Sequence, residues 1–216
     1  MTPPALKQQL YDKRGGMEQN HATRLHRALS WMLCADDYSS DDDVAFITLW
    51  ISFNACYSAE DQIGSLSDRR SFRQFVERIC VQDKDKRIYH LLWMNYSNFV
   101  RSVINNQFLF APFWECHRLG ENHWQQTFEQ NKRAAMQALA NERVSELLSI
   151  VLDRLYVLRN QMIHGGATYN SRVNREQVKS SRRLLAELLP VIVRIMLHNH
   201  AIDWGEIRFP VVNVAN

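Results

Sequence analysis

Between Arg143 and His164, the apolar residues Val144, Leu147, Leu148, Val151, Leu155, Leu158 and Met162 return every three or four positions, which lines them along one face of an α-helix. The Gly165-Gly166 pair that follows ends the helix as a left-handed cap would. Seven glycines and five prolines are few for the turns an all-β chain requires. The sequence therefore predicts an all-α fold.

The remaining helices follow from the same periodicity and its punctuation. A short helix over about Ala5 to Lys13 precedes one carrying Ala22, Leu25, Leu29, Met32 and Leu33. Ser39, Ser40 and the acids Asp41 to Asp43 supply a capping hydroxyl and negative charge for a helix from about Asp42 to Ser58, with Phe46, Leu49, Trp50, Phe53 and Tyr57 along it. Ser67-Asp68 opens a helix to about Val81, and Asp83 opens one running through Leu91, Leu92, Phe99 and Ile104. Pro112 and Gly120 punctuate Gln107 to Glu121, which reads as an irregular connector. Helix resumes over about Asn122 to Asn141, ahead of the long one. Asn174 can cap a last helix reaching about His198 and bent at Pro190, and Asp203 to Asn216 reads as a short extended tail. With 216 residues, nearly half of them apolar, the chain is expected to form a single domain over 1–216, with 1–16 as an N-terminal extension and 203–216 as the tail.

Several classes are set aside. The longest apolar stretch, Leu184 to Leu197, is broken by Glu187, Pro190 and Arg194 and falls short of the roughly 18 to 20 residues a membrane span needs. Met1 to Gly16 lacks an apolar core followed by small residues, so no secretory signal and a cytoplasmic location are expected. Cys34, Cys56, Cys80 and Cys116 are widely spaced and form no Cys-x-x-Cys, as reduced, structural thiols would. A formal charge of +3 is too small to argue for nucleic acid without local clustering. No Gly-x-Gly-x-x-Gly, Walker loop or His-Glu-x-x-His occurs. Asp41, Asp42 and Asp43 point in different directions from a helix start and have no evident second ligand group, so they read as a cap and not as a metal site.

The segment Arg159-Asn160-Gln161-Met162-Ile163-His164, at the end of the long helix, resembles the Arg-x4-6-His motif of the HEPN superfamily, helical-bundle domains many of which are metal-independent ribonucleases. The bare spacing also occurs at Arg14 to His21, Arg118 to His123 and Arg194 to His200. The first spans Gly15-Gly16, the second contains Gly120, and the third lies in an apolar, late part of the last helix. Only Arg159 to His164 combines an amphipathic helix, a polar residue directly after the arginine and a final-turn histidine. Leu49 to Tyr57 is similar to the aromatic-rich early helix of many HEPN proteins. The resemblance implies a HEPN-like up-and-down helical bundle with extra helices. It further implies an RNA substrate, no metal or other cofactor, and a homodimer with a composite site. A toxin or antiviral defence effector, held by an antitoxin or regulatory protein, fits that description.

Asn160 and His164 share a helical face, whereas Arg159 and His164 stand about 140° and 7.5 Å of rise apart on a regular helix. A long arginine side chain can curl towards the histidine, or a two-fold axis can bring two such helix ends around one cleft. RNA carries its own nucleophile, the 2′-hydroxyl. Its cleavage needs a group titrating near neutrality and a fixed positive charge, which histidine and arginine supply. On this reading His164 exchanges a proton with the 2′- or 5′-oxygen, Arg159 stabilises the phosphate, and Asn160 orients either group. Arg172, Arg175, Lys179, Arg182 and Arg183 form a basic stripe suited to the RNA backbone, and Asn54 is a supporting site candidate. Plainer readings stand beside these. Arg159 and His164 also suit the negative end of a helix without catalysis, the stripe also suits a solvated face, and Asn54 also suits a hydrogen-bonded core position. The alternative function is a non-catalytic HEPN-like module binding a nucleotide, RNA or a partner protein.

Overall fold

Every regular element among the described residues is helical. The computed structural model describes the backbone of residues 2–57, 66–207 and 209–211, and the side chains of all of these except 66–70. In chain order the helices are α1 (Pro3–Lys13), α2 (Gln19–Asp37), α3 (Asp42–Tyr57), α4 (Leu66–Gln82), α5 (Arg87–His90), α6 (Ser97–Ile104), α7 (Ala111–Leu119), α8 (Trp124–Ala140), α9 (Val144–Ile163) and α10 (Arg175–His198). The all-α expectation holds. No helix among the described residues is long and apolar enough to cross a membrane, and all four cysteines are unbridged. The chain divides into two compact units, one of Met1–Asp83 with Leu185–Asn216 and one of Lys84–Leu184.

In the first unit α2 and α3 pack together, with α1 against α2. Helix α3 buries Ala45, Phe46, Leu49, Trp50, Phe53 and Cys56, and Phe53 meets Phe72 and Phe75 edge-on at 6.2 and 6.3 Å. The expected cap of α3 is supplied by a carboxylate: Asp41 Oδ1 accepts the N–H groups of Asp43 and Val44, both at 3.0 Å. A side chain placed before the first turn satisfies two orphan donors at once and adds negative charge at the positive helix end. The residues expected to form an N-terminal extension start with Pro3 and Pro4 in the first turn of α1, where a missing N–H costs nothing. Leu6 and Leu10 of α1 are buried. The tail is anchored at its start. Trp204 and Ile207 are buried, and the guanidinium of the buried Arg24 donates to the carbonyls of Trp204 (2.5 Å), Gly205 (2.6 Å) and Glu206 (2.9 Å).

The second unit is built around α9, which buries Leu147, Leu148, Val151, Leu155 and Leu158 of the predicted stripe and Leu152 beside them, with Val144 and Met162 half-buried. Helices α8 and α9 form a hairpin, α6 packs on α9, and α7 packs on α8. Two expectations are corrected here. The helix expected from Asp83 to Ile104 is divided into the single turn of α5, a π-helical turn at Leu91–Asn95, and α6. In the π turn Tyr96 N–H reaches back to Leu91 O at 2.9 Å. The extra residue shifts the register, and Leu91, Leu92, Val100, Val103 and Ile104 are all buried. The stretch read as a connector is a 3-10 turn, Gln107–Leu109, followed by α7. Pro112 lies in the first turn of α7, and Gly120 ends it at φ +68°. Proline and glycine here start and stop a helix instead of excluding one.

Candidate functional site

The end of α9 is closed by its two glycines. Gly165 adopts φ +73°, its N–H donates to Met162 O at 3.3 Å, and Gly166 N–H donates to Gln161 O at 2.7 Å. This pair of reversed bonds satisfies carbonyls that a helix end otherwise leaves open. His164 is the last residue before the reversal, with its own N–H bonded to Asn160 O at 3.0 Å. Its position is exposed.

Arg159 and Asn160 are half-buried neighbours, and Arg159 Nη1 donates to Asn160 Oδ1 at 2.9 Å. The guanidinium carbon lies 5.9 Å from the centre of the Tyr156 ring, within the range of a cation–π contact. Arg159 Nε is buried with no hydrogen-bond partner. Asn160 thus touches both other candidates, taking Arg159 with its side chain and His164 with its backbone carbonyl.

Gln161 went unnoticed in the sequence, yet it ties this helix end to its surroundings. Its Nε2 donates to Phe108 O at 2.7 Å, and its Oε1 accepts from Asn174 Nδ2 at 3.4 Å. Phe108 O also receives the indole N–H of Trp114 at 2.9 Å. Asn174 directly precedes α10 at φ +62°, and its carbonyl accepts Val178 N–H. The start of α10 is thereby held to the end of α9. On α10, Arg175, Lys179 and Arg182 fall within about 60° of one another, with Arg183 about 40° further round. Arg175, Lys179 and Arg182 are half-buried, while Arg172 and Arg183 are exposed. Arg175 Nε donates to Ser171 O at 3.0 Å. Asn54 belongs to the first unit, where its Oδ1 is buried without a hydrogen-bond partner. The structure therefore brings Arg159, Asn160 and His164 together in one unit, with the stripe's start nearby, and Asn54 in the other.

The chain matches no family model, no curated protein and no solved structure. What these side chains can do must come from their own arrangement.

Arg154, one turn and a residue before Arg159, was also missed. It is buried, with Nη2 on Asn131 Oδ1 at 2.6 Å and its guanidinium 4.6 Å from the centre of the Phe110 ring. Burial pulls its pKa down to about 10. Elsewhere in this unit, a cavity of about 440 Å³ is lined by residues of the π turn, α6 and the first turns of α10, among them Asn95, Tyr96, Asn98 and Gln177. A metal ion has one grouping suited to it among the described residues, Cys116, Glu121 and His123.

Proposed function

We propose that the chain is a metal-independent endoribonuclease of the HEPN type that acts in the cytoplasm as a homodimer, in the manner of a toxin or defence effector under a regulatory protein. The observation that carries this reading is the double role of Asn160, which binds the Arg159 guanidinium through its side chain and the His164 N–H through its carbonyl. A fixed cation and an exposed imidazole at one helix end are the two groups that RNA cleavage by its own 2′-hydroxyl requires. His164 takes the 2′-hydroxyl proton, the 2′-oxygen bonds to phosphorus, and the phosphorus–O5′ bond breaks. The imidazolium formed in this way returns its proton to O5′. Arg159 offsets the charge on the non-bridging phosphate oxygens. Arg172, Arg175, Lys179, Arg182 and Arg183 hold the flanking backbone.

The test uses purified chain, mixed RNAs and a chelator. Wild type is expected to cut and leave 2′,3′-cyclic phosphate ends, with Arg159→Ala and His164→Ala slower by about 10²- to 10⁴-fold, the usual worth of a positioned acid–base group. Intact RNA with wild type, or equal cutting by the variants, sinks the proposal. The cavity lined by amide side chains favours a second reading, a non-catalytic module that binds a nucleotide. Saturable nucleotide binding without cleavage would select it.

A further inference from the structure

The turn between α7 and α8 gathers a thiol, an imidazole and a carboxylate. Gly120 reverses the chain at φ +68°, and Glu121 N–H returns to Cys116 O at 2.9 Å. This closure folds the residues after Gly120 back over the last turn of α7. His123 then lies with Nε2 3.5 Å from Cys116 Sγ and Nδ1 3.2 Å from a Glu121 carboxylate oxygen. The three donor groups fall within 4.8 Å of one another.

Those separations have a specific chemical meaning. Zinc bonds of about 2.3 Å to a thiolate and about 2.0 to 2.1 Å to an imidazole, at a tetrahedral angle, set sulfur and nitrogen about 3.6 Å apart. Cys116 Sγ and His123 Nε2 already stand at nearly that spacing. A carboxylate on the other ring nitrogen is the common support of a metal-bound histidine, fixing its tautomer and orientation. The site also sits at the C-terminal end of α7, the negative end of the helix dipole, which favours a cation.

We propose that Cys116 and His123 bind one zinc-class divalent cation that clamps the α7–α8 turn, with Glu121 orienting His123 through Nδ1 and the remaining coordination positions open to water. Binding releases the Cys116 thiol proton, so affinity rises with pH. The same trio in the same order also suits a nucleophilic thiol with an oriented base. Burial decides between them. Cys116 is 4 % exposed, closed to a carbonyl substrate, whereas the His123 and Glu121 side chains are 72 % and 47 % exposed and open to a hydrated ion.

The experiment titrates the reduced chain, residues 1–216, with cobalt(II) and then displaces it with zinc. One cobalt per chain is expected, with a thiolate-to-cobalt charge-transfer band that zinc abolishes. Cys116→Ser should remove the band and His123→Gln should weaken zinc binding at least about tenfold. Glu121→Gln should weaken it by about 10- to 100-fold, as loss of an orienting partner does. His123→Gln and Glu121→Gln alter exposed side chains, and matching circular dichroism of the metal-free proteins separates lost ligands from lost folding. Absence of the band, or its survival in Cys116→Ser, overturns the site. So does rapid alkylation of Cys116 that zinc fails to slow, which selects the nucleophile. Because cleavage by the α9 end is expected to persist in chelator, failure of either proposal leaves the other standing.

Discussion

Three buried basic side chains hold positions where an apolar stripe would place hydrocarbon. His21 and Arg24 lie on the inward face of α2 with Leu25 and Ala28, and Arg154 lies among the leucines of α9. None was legible in the sequence. The partners of His21 and Arg24 are backbone carbonyls of Met196 and of Trp204 to Glu206, and a carbonyl acceptor leaves no mark on the side-chain pattern. His21 gives the clearest consequence. Its Nε2 bonds to Met196 O at 3.2 Å, and the ring stacks on Trp204 at 6.4 Å. Burial is the main cause holding its pKa below the ordinary value, Arg24 and His200 add to the effect, and the Met196 carbonyl and Glu18 oppose it. The folded state thus binds a proton less readily than the unfolded chain. The stability this contributes is present above the unfolded value of about 6.5 and is lost as pH falls towards the folded one. Thermal midpoints are expected to drop between about pH 7.5 and 5, and the drop should shrink in His21→Gln, which keeps a donor for Met196 O but cannot titrate. An identical slope in that variant would assign the acid sensitivity to another group.

Helix existence was readable from periodicity, and helix endings were readable only where the turn chemistry was interpreted in the right direction. The Gly165-Gly166 closure of α9 was anticipated because it follows a strong apolar stripe. Pro112 and Gly120 carry the same signals around α7, but the short stretch Ala111–Leu119, crowded with aromatics, shows too little periodicity to reveal that they bracket a helix. The π turn at Leu91–Asn95 leaves no compositional trace, since it is a change of register within an apolar run. The α9 ending also fixes where His164 sits. A Cβ on Gly166 would stand 3.0 Å from Gln161 O, the same atom that accepts the Gly166 N–H, and Gly165→Ala would force a side chain into the left-handed region. Each alanine variant is expected to cost about 1 kcal/mol, measured as a shift in urea midpoint. RNA cleavage should fall further than that loss of folded protein explains, because His164 moves with the turn. Gly15→Ala, where an added Cβ meets nothing within 4 Å, is the matched control. Midpoints equal to that control would show that the reversal does not constrain the helix end.

At the scale of the whole molecule, the division between Leu184 and Leu185 falls inside α10, where no linker composition marks it. The candidate site lies wholly in the second unit, and the proposed cleavage needs Arg159 and His164 on the same phosphate. A regular helix sets the two about 140° apart. The proposed dimer meets that need if each cleft draws on two chains related by a two-fold axis, with the arginine of one facing the histidine of the other. That arrangement makes a specific statement about mixtures. Arg159→Ala and His164→Ala are each expected to be at least about 10²-fold slower alone. In a mixed dimer one cleft combines the two altered residues, and the other combines an intact Arg159 with an intact His164. Mixing equal amounts and allowing subunits to exchange should therefore restore activity to about a quarter of wild type, half the dimers being mixed and each having one of its two clefts intact. Recovery should disappear if the subunits are crosslinked as homodimers before mixing. A chain that stays monomeric at micromolar concentration while cutting RNA, or dimers that exchange subunits without any recovery, would place the complete site within one copy.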